Sequence, residues 1–138
     1  MLGKFIKFAV VGASGFVVDF SITALLSGVL GISMVLATGV GFCFGATSNY
    51  FLNRMWTWRS KNPNVRAEYI KFFIVSLAGL GLHYLIFLGA MSLLTDGLDV
   101  MGYTLSVEWL SKIIATGVVM FWNFGANNFY TFKGTSKK

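Results

Sequence analysis

Residues 8–30, FAVVGASGFVVDFSITALLSGVL, form an apolar run whose one charged side chain is Asp19. A helix needs about 20 such residues to cross the roughly 30 Å hydrocarbon core of a bilayer. Three further runs follow, over residues 35–52, 69–94 and 107–124. Only short polar segments separate them, which leaves no room for a soluble catalytic domain. We therefore predict an all-α integral membrane protein with four transmembrane helices, in a single domain over residues 1–138.

The composition supports this class. Of the 138 residues, 56% are hydrophobic and only 12% are charged, about half the charged share of a soluble domain. Such a chain cannot cover a water-exposed surface, and its apolar content excludes intrinsic disorder. It has one cysteine, Cys43, and no Walker, nucleophile-elbow or HExxH motif, so we expect no cofactor, no metal site and no enzymatic activity.

The basic residues predict the orientation in the membrane. Lys112 lies beside the third connection, whereas the other ten Lys and Arg residues lie at the chain ends and in the middle connection: Lys4, Lys7, Arg54, Arg59, Lys61, Arg66, Lys71, Lys133, Lys137 and Lys138. By the positive-inside rule, both termini and the middle connection are expected in the cytoplasm. Because these charges flank apolar runs, we expect a membrane partner and no nucleic acid.

The two halves of the chain resemble each other. Residues 4–11, KFIKFAVV, match residues 68–75, EYIKFFIV, at an offset of 64. Residues 49–59, NYFLNRMWTWR, match residues 123–133, NFGANNFYTFK, at an offset of 74. We predict two repeats, about 4–61 and about 68–135, each a two-helix hairpin that starts and ends in the cytoplasm. Such repeats are parallel and related by an axis along the membrane normal.

Two ionisable residues lie at matching depth. Asp19 is about 16 Å along its helix from Phe8, at about 1.5 Å per residue, and His83 lies equally far beyond Phe72. A charge at the bilayer centre costs about 2.5–3.5 kcal/mol, so such residues usually have a function. The alternative interpretation is a structural polar clasp between the hairpins, and the two are compatible.

A duplicated asparagine pattern lies near the cytoplasmic ends of the second and fourth runs. Asn49 and Asn53 are four residues apart and share a helix face, as do Asn123 and Asn127. Further polar residues beside these pairs complete a predicted head-group site: Asn128, Arg54 and Arg59. Amides and guanidinium groups bind phosphate oxygens, although hydrogen bonding between the helices would also explain the asparagines.

Small residues recur on the second run, where Ala37, Gly41 and Gly45 are spaced four apart. Small faces let membrane helices approach closely. We expect them to pack within a hairpin, and contact with a second copy in a homo-oligomer is the alternative.

These residues carry a family resemblance over about residues 4–133. The chain resembles the GtrA-like family in the following elements: FAVVG at 8–12, Asp19, NYFLNR at 49–54, Trp56, Trp58, Asn123, Asn127 and YTF at 130–132. The resemblance implies a bacterial inner-membrane protein that translocates a polyprenyl-phosphate-linked sugar, such as undecaprenyl-phosphate glucose, for cell-surface polysaccharide. The alternative that it implies is a non-transporting partner that anchors the glycosyltransferase. Asn128 stands where the first repeat has Arg54, so a phosphate contact would be asymmetric.

A third hypothesis is a small proton-coupled exporter that uses Asp19 as its proton carrier. The strong charge bias and the parallel repeat argue against a dual-topology exporter, but they leave a fixed-topology one open.

Overall fold

The computed structural model describes residues 1–100 and 103–134, and in this part of the chain the backbone forms four helices. They are α1 (Leu2–Ala24), α2 (Met34–Leu52), α3 (Val65–Leu93) and α4 (Val107–Ala126). Three of them continue into a π-helical turn: Leu25–Val29, Asn53–Thr57 and Asn127–Thr131. Lys137, Lys138 and the last residue of the predicted second repeat lie outside the described residues.

The third connection differs from the sequence-based expectation of a simple polar loop. Strands β1 (Leu98–Val100) and β2 (Tyr103–Leu105) pair antiparallel there, with Asp99 opposite Thr104. The Thr104 hydroxyl donates to Asp99 Oδ1 at 2.5 Å. This hydrogen bond between side chains on facing strands stabilises the pair of strands, which is too short to be stable by itself.

The helical segments indicate a membrane protein. Three of them are long and apolar enough to cross a bilayer: Leu2–Val29, Met34–Thr57 and Val65–Leu93. Large apolar side chains such as Phe16 and Leu85 are exposed on their surfaces, as expected where lipid is the solvent. Helix α4 carries Glu108 and Lys112 in its first turns and is less apolar. The fourth span and the orientation therefore stay predictions.

The helices pack mainly as two hairpins, α1 with α2 and α3 with α4. On α2 the close approach depends on glycine. A Cβ at Gly45 would lie 2.8 Å from the carbonyl oxygen of Gly15 and 2.9 Å from Asp19 Cβ. The small residues of α2 thus pack within the first hairpin, as predicted from their spacing.

The two hairpins bury residues at equivalent positions. Pairs separated by the predicted offsets are buried in both halves: Phe8 and Phe72, Val11 and Val75, Gly15 and Gly79, Asn53 and Asn127, Thr57 and Thr131, and Trp58 and Phe132. The π-helical turns at the ends of α2 and α4 are also equivalent. The repeat stays a prediction, and these shared positions support it.

An aromatic cluster joins the hairpins at the end of the bundle where the chain begins. Its members are Phe8, Tyr50, Trp58, Phe72 and Phe132. Trp58 stacks on Phe132 with ring centroids 4.4 Å apart and planes 10° apart. Stacked aromatic pairs contribute about 0.5–1.5 kcal/mol beyond their burial, so this cluster helps to hold the two hairpins together.

Candidate functional site

A cavity lies between the four helices. It consists of two adjoining pockets, of about 290 Å³ and about 400 Å³, which share Asn49, Ser76, His83 and Asn123 among their lining residues. Asp19 lines the smaller pocket, whereas Asn53 and Asn127 line the larger one. We call the two together the central cavity. In the sequence, the two ionisable residues and the asparagines formed separate sets. In the structure, both sets line one cavity.

Asp19 and His83 line the central cavity from opposite hairpins. The Thr23 hydroxyl lies 3.2 Å from Asp19 Oδ1 and donates to it, while the His83 ring lies edge-on to Tyr84. Among the described residues, no ion pair joins Asp19 to His83. Both interpretations of these two residues, a function in the cavity and a polar clasp between the hairpins, stay predictions.

Two asparagines lie against glycines in matching places. A Cβ at Gly15 would lie 2.5 Å from the amide of Asn49, and one at Gly79 would lie 2.5 Å from Asn123 Oδ1. The amide oxygens of Asn49 and Asn123 are buried and have no hydrogen-bond partner among the described residues. Leaving a buried acceptor unpaired costs about 1–3 kcal/mol. These oxygens therefore favour a ligand that donates hydrogen bonds.

The other cavity asparagines begin the π-helical turns. Asn53 Oδ1 accepts from the Thr57 hydroxyl at 2.7 Å, and its Nδ2 is buried and unpaired among the described residues. Asn127 Nδ2 donates to the Asn123 carbonyl oxygen at 2.8 Å. Asn127 Oδ1 is buried and unpaired among the described residues. π-Helical turns inside helices frequently lie at functional sites. Each hairpin thus contributes to the cavity two amides with at least one unpaired polar atom among the described residues.

Arg54 lies outside the central cavity and forms an ion pair with Glu68, in the first turn of α3. The Glu68 side chain is 1% exposed and also accepts from the Tyr50 hydroxyl at 3.1 Å and the Ser60 hydroxyl at 2.6 Å. Arg54 Nη2 donates to the Asn62 carbonyl oxygen at 2.7 Å. This network fixes the connection between α2 and α3.

Asn128 is also engaged away from the cavity, since its Oδ1 accepts from Trp58 Nε1 at 3.2 Å. The structure therefore does not bring Arg54 and Asn128 together with the other asparagines. Their predicted contact with a head group stays a prediction.

Sequence reasoning missed Glu68, although one signal was present. It is the only acidic residue near the basic connections.

A second concave surface, which we call the basic groove, lies at the end of the bundle where the chain begins. It has a volume of about 880 Å³, and its cationic lining residues are Lys4, Lys7, Arg59, Lys61 and Lys133. Trp58 lines the groove, while Phe8 and Phe72 line the central cavity. All three belong to the aromatic cluster, so this cluster separates the groove from the cavity.

Comparison with known protein families gives a match over nearly the whole chain. The family described as "GtrA/DPMS, transmembrane domain" matches residues 7–132. The matched range spans α1 to α4 and contains every residue of the central cavity. It confirms the resemblance found in the sequence.

Proposed function

Because this chain belongs to the GtrA/DPMS transmembrane domain family, we propose that it translocates a polyprenyl-phosphate-linked sugar. Family membership indicates a membrane protein of polyprenyl-phosphate sugar processes. The finer proposal adds that the lipid crosses the bacterial inner membrane and serves cell-surface polysaccharide synthesis or modification.

The observation that carries the proposal is the pair of unpaired amide oxygens on Asn49 and Asn123 in the central cavity. Each sugar hydroxyl can donate one hydrogen bond and accept others. A sugar in the cavity would satisfy both oxygens, and Asn53 Nδ2 would supply a donor beside them. The cavity therefore suits a polyhydroxylated head group better than a purely apolar ligand.

The depth of the polar residues supports movement across the membrane. Asn53 and Asn127 lie near the basic end of the bundle, whereas Asp19 and His83 lie further from that end, beyond the midpoints of α1 and α3. A sugar moving along this route would exchange one set of polar contacts for the next. Its polyprenyl tail would remain in lipid against the exposed apolar faces of the helices, so only the head group would need a polar environment.

A reconstituted transport assay tests the proposal. The purified protein is placed in liposomes with a fluorescent polyprenyl-phosphate sugar, and the fraction that reaches the outer leaflet is followed with a membrane-impermeant quencher. Asn49→Leu and Asn123→Leu should each slow translocation about tenfold, since each removes about one hydrogen bond to the substrate. Cys43→Ala, at an exposed position on α2, is the matched control. Unchanged rates in both asparagine variants would contradict the proposal.

The alternative is a non-transporting anchor for a polyprenyl-phosphate glycosyltransferase, and the basic groove favours it. An exposed cationic surface can dock an acidic segment of a soluble enzyme. In this case the purified chain would bind the enzyme, and liposomes without the enzyme would show no translocation. Translocation by the chain alone would exclude a purely anchoring role.

A further inference from the structure

The basic groove concentrates positive charge. Its cationic side chains come from three separate parts of the chain: the start of α1, the connection after α2, and the residues after α4. No acidic residue is among the described residues that line it. Cations gathered in a concave surface raise the local potential and attract anionic ligands.

One of these cations lies over an aromatic ring, and another belongs to a residue with an unusual backbone conformation. Lys7 Nζ lies 5.4 Å from the centre of the Trp56 ring, within the range of a cation–π interaction. Arg59 follows the Asn53–Thr57 turn by two residues and has a φ of 50°. A left-handed conformation is uncommon for a residue with a side chain, and such residues cluster at functional sites.

The position of the groove at the level of the lipid head groups indicates that the anion is a lipid phosphate. Trp56 is 43% exposed and lines the groove. Exposed tryptophans at helix ends mark the level of the lipid head groups. Basic clusters next to transmembrane helices bind the head groups of anionic lipids. A lipid held here by its phosphate could keep its tail in the bilayer, which a soluble acidic peptide would not require.

The groove also adjoins the sugar route. Thr57 lines the groove, and its hydroxyl donates to Asn53 Oδ1, on the cavity side of the same turn. Residues of this one turn therefore line both sites. The two sites are therefore neighbours across this turn.

We propose that the basic groove is the phosphate-binding site for the lipid substrate, formed by Lys4, Lys7, Arg59, Lys61 and Lys133. This inference deepens the proposed function and rests on it for the identity of the lipid. It assigns the phosphate to the groove and the sugar to the central cavity. Arg54, which is paired with Glu68, then contributes by holding the connection that carries Arg59 and Lys61.

A pair of equivalent lysines provides the test. Lys7 and Lys71 occupy matching positions in the two hairpins, and Lys71 Nζ lies 5.2 Å from the centre of the Tyr130 ring. Lys7 lines the groove and Lys71 does not. The full chain is placed in phosphatidylcholine nanodiscs, and binding of a radiolabelled short-chain polyprenyl phosphate is measured for wild type, Lys7→Gln, Lys61→Gln and Lys71→Gln.

Lys7→Gln and Lys61→Gln should each weaken binding about fivefold, as expected for one charge at an anionic head group. Lys71→Gln should bind as wild type does. Phosphatidylglycerol should compete if any lipid phosphodiester is accepted, and inorganic phosphate should compete if the tail adds little. Competition by neither would show a site that requires both the polyprenyl tail and the phosphate.

Several results would overturn the inference. One is an equal loss of binding in Lys7→Gln and Lys71→Gln, and another is no loss in Lys7→Gln and Lys61→Gln. A third is that a glycosyltransferase binds wild type but not Lys7→Gln, while polyprenyl phosphate binds neither protein. The transport assay separates the two proposals. Binding without translocation contradicts the proposed function alone, whereas translocation that is unaffected by Lys7→Gln and Lys61→Gln contradicts the groove alone.

Discussion

The two hairpins share their buried framework but differ in the polar residues that they carry. Each has a glycine against an asparagine, a π-helical turn that begins at an asparagine, and a lysine over an aromatic ring. At four equivalent positions the first hairpin has Asp19, Gly45, Arg54 and Trp58, where the second has His83, Val119, Asn128 and Phe132.

The comparison separates two kinds of residue. Shared residues build two similar walls around one cavity, which suits a route along the axis between the hairpins. The residues that differ make the proposed route asymmetric at its middle and at its basic end. A substrate with a phosphate at one end and a sugar at the other is itself asymmetric. We therefore expect substitutions at shared positions to act alike in the two hairpins, and substitutions at differing positions to act unequally.

The largest effect is expected from the ion pair between Arg54 of the first hairpin and Glu68 of the second, since the equivalent residues Asn128 and Lys4 cannot form one. Glu68→Gln would leave Arg54 without its anionic partner in a nearly buried site. Removing one member of a buried pair costs about 3–5 kcal/mol. Thermal unfolding in detergent should show this loss. At the position equivalent to Arg54, Asn128→Ala should cost considerably less, since it removes only a neutral hydrogen bond.

A double variant controls for the loss of charge. In Arg54→Gln with Glu68→Gln, neither charge is left unpaired, so this protein should be more stable than Glu68→Gln alone. If the double variant loses the sum of the two single effects, the pair does not act as the coupled unit described above.

The next effect concerns the close approach of α1 and α2. Gly45→Ala would place a Cβ 2.8 Å from the Gly15 carbonyl oxygen, and backbone atoms cannot move aside cheaply. Overpacking of this kind costs about 1–3 kcal/mol. Gly39→Ala is the matched control on α2, since a Cβ there meets nothing within 4 Å. Equal unfolding temperatures for the two variants would show that the first hairpin does not need its small face.

Much of this arrangement could be predicted from the sequence. Apolar runs predicted the four helices, and the asparagine spacing predicted side chains on a shared face of α2 and α4. Repeat matching gave no indication of the Arg54–Glu68 pair, because the equivalent positions hold Asn128 and Lys4, which cannot form an ion pair. Repeat matching reports what the two hairpins share, whereas this contact joins one hairpin to the other and has no equivalent ion pair.

The central cavity is lined by six of the candidate residues, although the sequence did not place them together: Asp19, His83, Asn49, Asn53, Asn123 and Asn127. Linear depth placed Asp19 and His83 midway and the asparagines near one end, because sequence distance gives position along a helix and not around it. The direction that each residue faces depends on how the hairpins pack. The groove was missed as a unit for the same reason, since its cations come from three distant parts of the chain.

A smaller effect, on transport rather than on stability, is expected at the middle of the route. Asp19→Asn keeps an acceptor for the Thr23 hydroxyl but removes the negative charge. Replacing a charged hydrogen bond to a sugar hydroxyl by a neutral one should slow translocation about fivefold. His83→Gln retains a donor and an acceptor, so its effect should be smaller.

Liposome translocation measures both variants, and Ser21→Ala, at an exposed position on α1, is the control. Identical rates in Asp19→Asn and His83→Gln would mean that the two depth-matched residues are interchangeable, contrary to the asymmetric route.

The smallest effect is expected where the hairpins meet. Trp58→Phe makes this position identical to Phe132 and retains the stacking of the two rings. It removes the indole N–H that donates to Asn128 Oδ1, so stability should fall by about 0.5–1.5 kcal/mol. Asn128→Ala should then cost less in the Trp58→Phe background than in wild type, as thermal unfolding of the four proteins of the cycle would show. Strict additivity would mean that the stacked rings alone, and no polar contact, join the hairpins here.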